Sequence, residues 1–124
     1  VRALKPAADS LLVKGITLHF TNLKNLESVE STIRQQEGGT HADEIETSMI
    51  LYMQPESVNM KKAVKDYRPS TGNGLTRDPA NKNSTYSPTG VWGDATLATK
   101  EKGKIVTEAL VEMILKEIEG LRNQ

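Results

Sequence analysis

The sequence predicts an α/β fold, and three patterns predict it. Apolar residues at helical spacing (Leu4, Ala8, Leu11 and Leu12) run up to a break at Gly15. The next five residues, Ile16-Thr17-Leu18-His19-Phe20, alternate apolar and polar as a half-buried strand does. Near the end, Ile105, Val106, Ala109, Leu110, Met113, Ile114, Ile118 and Leu121 form one broad apolar stripe, with Glu and Lys on the other face. A helix, a glycine and a strand are half of an alternating α/β unit.

Each element has a local reason. The first helix falls within residues 1–14. Pro6 lacks an N–H and is tolerated only in a first turn, so the helix starts close to it. Leu26, Val29 and Ile33 are spaced by three and four and predict a second helix over Asn25 to Gln36, which Gly38 and Gly39 break. Thr40 has the chemistry of an N-cap, with Asp43 three residues on as a variant capping box. The third helix is therefore expected from His41 to about Met53, stopped by Pro55. Residues 56–94 hold much of the chain's Gly, Pro, Asn, Ser and Thr. Thr71-Gly72-Asn73-Gly74, Asp78-Pro79 and Ser87-Pro88-Thr89-Gly90 are turn signals within them. So long a stretch without regular elements is commonly functional or an interface. The last helix is the clearest, from about Thr99 to Arg122.

Composition narrows the function classes. With 124 residues, the chain has the length of one domain. Sixteen basic and sixteen acidic side chains cancel, so neither nucleic acid nor an anionic membrane is an expected partner. Cysteine is absent, which excludes disulfides and thiol catalysis and leaves the compartment open. The longest apolar run is far short of the roughly 20 residues of a membrane span, and no signal-peptide pattern opens the sequence. Only 36% of residues are apolar and 4% aromatic, enough for a small core that calls for help from other protein. Val1-Arg2-Ala3-Leu4 reads as the middle of a helix, so residues upstream are expected.

The run from Thr40 to Ser48 carries the candidate chemistry. It places His41, one of two histidines, at a helix start, where the positive end of the helix dipole disfavours imidazolium. A neutral imidazole can accept a proton, donate one or bind metal. The helical neighbours of Glu46 are Ala42, Met49, Ile50 and Met53, an apolar setting in which a lone carboxylate costs several kcal/mol by order of magnitude. Asp43 and Glu44, by contrast, read as first-turn carboxylates that complement the dipole. His-x4-Glu is not a helical metal-ligand spacing. On an ideal helix the two side chains diverge by about 140°, so they share a site only if His41 reaches back over the helix start. Gly38 and Gly39 allow close backbone or ligand approach. His19 reads as a satisfied or edge histidine. Tyr67, Tyr86 and Trp92 are candidate pocket walls that singly read as packing, and Gly72-x-Gly74 is too weak for a phosphate loop.

Two separated segments resemble the creatininase (creatinine amidohydrolase) family. The first is His41-Ala42-Asp43-Glu44-Ile45-Glu46-Thr47-Ser48, with Met49-Ile50-Leu51 and Pro55-Glu56-Ser57-Val58. The second is Gly90-Val91-Trp92-Gly93-Asp94-Ala95-Thr96-Leu97-Ala98, followed by Glu101-Lys102-Gly103. The resemblance covers roughly residues 8 to 122. It implies that residues 1–124 are the C-terminal portion of a three-layer α/β/α sandwich. It also implies a metal-dependent amidohydrolase that cleaves a C–N bond of a cyclic or formyl amide, and a homo-oligomer. Zinc and manganese are among the family's ions, and a metal-activated water attacks the carbonyl. His41 falls on the family's histidine for substrate contact and proton transfer. Glu46 falls on a glutamate that holds the site in shape, and Trp92 is assigned to substrate binding. The family's metal ligands lie in an earlier glutamate-x-histidine segment, a nearby aspartate and an Asn-Gly-His motif, none of which occurs here. The resemblance therefore assigns no metal ligand to this chain. Glu37-Gly38 stands where creatininase has a Trp-Asp pair, which argues against creatinine itself as substrate, and Asp43 stands where many members have glycine.

Three readings follow. In the first, the whole protein is an amidohydrolase and this chain supplies the His41/Glu46 wall of its site. In the second, the chain is a structural fragment or subunit without the metal ligands. In the third, the last helix is an interaction surface. An upstream segment or a partner chain is expected to cover the apolar faces that half a sandwich exposes.

Overall fold

A computed structural model of the chain describes residues 4–20, 26–69 and 74–122. Among these residues the fold mixes helices with short strand pairs, consistent with the α/β class. The helices are α1 (Leu4–Leu12), α2 (Glu27–Ile33), α3 (Glu44–Met53) and α4 (Lys100–Arg122). The strands, two residues each, are β1 (Lys65–Asp66), β2 (Leu75–Thr76), β3 (Thr85–Tyr86) and β4 (Gly93–Asp94). β1 and β4 pair antiparallel, with Lys65 opposite Asp94 and Asp66 opposite Gly93. β2 and β3 pair in parallel, with Leu75 opposite Thr85. Residues 1–3, Asn25 and most of the Thr71–Gly74 turn lie outside the described residues.

α4 begins where the sequence places it. The Thr99 hydroxyl accepts the Lys102 N–H at 3.3 Å, the bond of an N-cap residue. Pro55 ends α3 and opens a single 3-10 turn. The strand expected at Ile16 to Phe20 is absent: these residues form no ladder and lie exposed. Their alternation is real, but among the described residues no neighbouring strand meets it, and a strand without a partner has nothing to satisfy its backbone. His19, within that segment, sits 3.3 Å from Glu117 on α4.

The core is small. Leu26, Ile45 and Val106 are buried, with Ile33, Met49, Ala109 and Leu110 packed partly against them. It lies where α3 crosses α4, with α2 against the same side. Two small residues set that crossing. The buried Ser48 donates to the Glu44 carbonyl at 2.6 Å and accepts the Thr99 N–H at 3.0 Å. Gly103, one turn into α4, lies directly against the Ser48 carbonyl.

Only part of the α4 stripe is used. Val106 is fully buried, and Ala109, Leu110 and Met113 are partly so. Ile105, Ile114, Ile118 and Leu121 remain more than a third exposed.

A buried carboxylate anchors the long loop. Asp66 on β1 accepts the Thr89 hydroxyl at 2.6 Å, and the Ser87 hydroxyl lies 2.8 Å from it. Ser87 is equally close to the Val91 carbonyl, but its single proton favours the charged acceptor. Burial opposes ionisation of Asp66. The hydroxyl bonds from Thr89 and Ser87, the Thr89 N–H and the Arg68 charge outweigh it and hold the carboxyl below its ordinary value. A carboxyl depressed in the folded chain stabilises it above the unfolded value, near 3.9. That contribution is lost as pH falls through the folded value. Acid titration of unfolding free energy is expected to show this loss below about pH 4, and Asp66→Asn is expected to flatten that part of the profile. An unchanged acid limb in the variant would refute the assignment.

Candidate active site

The helix start differs from the sequence expectation, and the difference moves both candidate residues. The N-cap is Asp43, not Thr40. Its carboxylate accepts the N–H groups of Ile45 at 3.0 Å and Glu46 at 2.9 Å. The carboxylate of Glu46 reaches back to the Ala42 N–H at 2.6 Å, one residue before the position a capping box uses. Aspartate accepts two donors where threonine offers one small hydroxyl, so the chain starts the helix three residues later than the Thr40 reading allows. Asp43 thus has a structural role.

His41 consequently precedes the helix, outside the turn on which the helix dipole acts. Two backbone bonds to Trp92 fix its main chain, the His41 N–H to the Trp92 carbonyl at 3.2 Å and the reverse at 2.8 Å. Trp92 adjoins β4, whose other edge pairs with β1. The double glycine permits this approach. A Cβ at Gly39, whose φ is +104°, would lie 2.1 Å from the Trp92 carbonyl oxygen, and one at Gly38 would strike the Tyr67 ring. Ala42 is the one non-glycine residue with positive φ (48°) among the described residues. It turns the chain between the bridge and the helix, at roughly 1–2 kcal/mol of backbone strain.

His41 does reach back over the helix start. Its Nδ1 lies 3.9 Å from Glu46 Oε2, too long for a direct hydrogen bond, so the two side chains are neighbours at the helix start. Glu46 is not the buried carboxylate that its sequence neighbours imply, because its side chain is 55% exposed. Met53 and Ile50, taken as its apolar surroundings, are themselves exposed. The fully buried carboxylate is Glu44, expected as a simple complement to the dipole. It accepts the Gln35 N–H at 2.9 Å, the Gln36 N–H at 2.8 Å and the Lys102 ammonium. Gln36 completes the clasp. Its amide nitrogen donates to Asp43 at 2.6 Å and to the Gly39 carbonyl at 3.2 Å. Its amide oxygen accepts from the N–H groups of Glu44 and Asp94. One carboxamide thereby ties the helix start, the glycine loop and β4 together.

His41 and Glu46 flank different clefts. His41 lines one of about 250 Å³ with Leu75, Thr76, Arg77, Ser87 and Gly90. Glu46 lines one of about 570 Å³ with Glu27, Glu30, Arg34, Thr40, Asp43 and Ile45. Trp92 lines neither; its ring stacks on Tyr67 at 6.2 Å and its indole N–H donates to the Arg68 carbonyl at 2.8 Å. Tyr86 packs under the Arg68 guanidinium, 5.5 Å from the ring centre. Among the described residues, no three His, Cys, Asp or Glu side chains cluster closely enough to hold a metal ion. The burial of Glu44 and the clasp made by Gln36 were missed from sequence. The one signal for Glu44 was the pairing of small residues, Ser48 with Gly103, which marks a close helix crossing and hence the buried face.

A family model described as Creatininase, creatinine amidohydrolase, matches residues 1–118. No curated protein and no solved structure matches the chain.

Proposed function

Because the chain belongs to the creatininase family, we propose that it forms one wall of an amidohydrolase site cleaving a C–N bond in a cyclic or formyl amide. The observation that carries this is the paired placement of His41 and Glu46, 3.9 Å apart at a helix start pinned to Trp92. The His41 imidazole is exposed and able to pass a proton to a leaving nitrogen. Glu46 acts as a positioning residue: it accepts the Ala42 N–H and so fixes the turn that carries His41. Trp92 contributes to substrate binding by fixing the His41 backbone.

The family points to divalent ions, zinc and manganese among them. The described residues offer no cluster that fits such an ion, so its ligands would come from elsewhere, and no step assigned here runs through it. A three-layer sandwich with further protein against this chain is supported by the exposed apolar residues of α4 and of residues 16–20, which another layer would cover. The same lack of a ligand cluster supports a second reading, a non-catalytic structural subunit.

In full-length protein that includes the metal ligands, with a formyl or cyclic amide and added zinc or manganese, His41→Ala is expected to lower kcat by roughly 10²–10⁴-fold while metal content stays unchanged. Glu46→Ala is expected to lose more kcat than Glu46→Gln, whose amide oxygen still accepts the Ala42 N–H. Full turnover in His41→Ala would sink the assignment. Turnover absent from the unaltered protein, with no metal retained, would favour the structural subunit.

A further inference from the structure

The cleft of about 250 Å³ beside His41 has a second polar end that the reading above leaves unused. Arg77, itself exposed, lines it together with a half-buried Leu75. One hydrogen bond restrains the guanidinium. Its Nη2 donates to the Thr89 carbonyl at 3.1 Å, and Thr89 is itself tied to Asp66. Gly90, with φ of +84°, lets the group lie against the backbone, since a Cβ there would come within 2.7 Å of Nη2 and 3.3 Å of Nε.

The charge is not neutralised locally. Among the described residues no carboxylate lies within ion-pair distance of Arg77. Its neighbour Asp78 turns its carboxylate onto the Ala80 N–H at 2.9 Å. Asp66 is occupied by Ser87, Thr89 and Arg68. An arginine has five donors in a planar fork suited to carboxylate or phosphate, and one donor is committed here.

We propose that this cleft binds a small anionic ligand whose carboxylate or phosphate is gripped by Arg77 while its uncharged end faces His41. The volume suits a ligand of metabolite size, since it lies below the roughly 300–1,000 Å³ of larger small-molecule sites. Joined to the amidohydrolase reading, on which this last step rests, the substrate class is an amide that carries a carboxylate or phosphate. Arg77 is then the residue that selects for the negative charge.

Anion binding is measurable without turnover. Titration of the chain with inorganic phosphate and, separately, with acetate is followed by NMR at the Arg77 side chain and the Gly90 and Thr89 amides. Saturable shifts are expected with at least one probe, and the stronger one identifies the anion type. Arg77→Gln is expected to weaken that binding about tenfold or more, and Arg77→Lys less, because it keeps the charge and loses the fork. His41→Ala is expected to retain anion binding even where it abolishes turnover, which separates this proposal from the catalytic one. No saturable shift in the unaltered chain, or equal binding by folded Arg77→Gln, overturns it.

Discussion

Glu44→Ala is expected to cost the chain about 3–5 kcal/mol, the usual result of removing one partner from a buried ion pair. Two consequences add. The Lys102 ammonium, whose side chain is 14% exposed, keeps the Gln35 side-chain oxygen at 2.7 Å and the Leu97 carbonyl at 2.9 Å but loses its only counter-charge among the described residues. The N–H groups of Gln35 and Gln36 lose their acceptor in the same step. Against a typical total of about 5–15 kcal/mol for a domain, this is a large share. Glu44→Gln is expected to lose less, because an amide oxygen still accepts while its NH₂ faces other donors. Glu44→Gln combined with Lys102→Met is expected to recover part of the loss of Glu44→Gln, since no charge then remains buried. Urea unfolding of the four chains measures the series. A loss below about 1 kcal/mol in Glu44→Ala would place the pair with ordinary surface ion pairs and refute the clasp.

That clasp explains which parts of the site were legible in the sequence. The breaks were in part, because glycine and proline act locally. Pro55 ends α3 as expected and Thr99 starts α4, whereas α2 stops at Ile33, short of Gln36 and before the glycines are reached, because Arg34 is already extended. The orientation of α3 was not. Its apolar residues Ile45, Met49, Ile50, Leu51 and Met53 occur on nearly every side, so spacing alone does not choose a buried face. The choice is made by α4: Gly103 admits the Ser48 side of α3, and this turns Glu44 inward and Glu46 outward. The N-cap was misread for a similar reason. Thr40 and Asp43 both have capping chemistry, and the choice falls to Asp43 because Gln36, seven residues upstream, also donates to it. The paired spacing of His41 and Glu46 needed Ala42 in a left-handed conformation, which a sequence pattern does not reveal for alanine. The strand expected at 16–20 fails on a longer scale, since its partner must come from beyond its own residues.

Gly103→Ala puts two local rules in opposition, and their magnitudes decide the sign. Alanine is the better helix former by about 0.8–1.0 kcal/mol, so propensity alone predicts a more stable α4. The crossing predicts the reverse. A Cβ at Gly103 would lie 1.8 Å from the Ser48 carbonyl oxygen, 2.4 Å from its carbon and 3.0 Å from the Met49 nitrogen. All three atoms are backbone, so no rotamer change relieves them, and α3 must move away from α4. Overpacking of this kind costs about 1–3 kcal/mol and sometimes more, and here it also opens the core of Ile45 and Val106. A contact this close puts the cost at the upper end of that range, so the net expectation is a loss of about 2 kcal/mol after the propensity gain is subtracted. Gly120 is the internal control, being in the same helix with nothing within 4 Å of its Cβ position. Gly120→Ala is expected to gain up to about 1 kcal/mol, less if the helix end frays. Thermal unfolding of both variants gives the comparison directly. If both shift upward, the close crossing is absent and the inward turn of Glu44 falls with it. If Gly103→Ala alone falls, the helix carrying the His41 start is held by contact with α4 rather than by its own sequence.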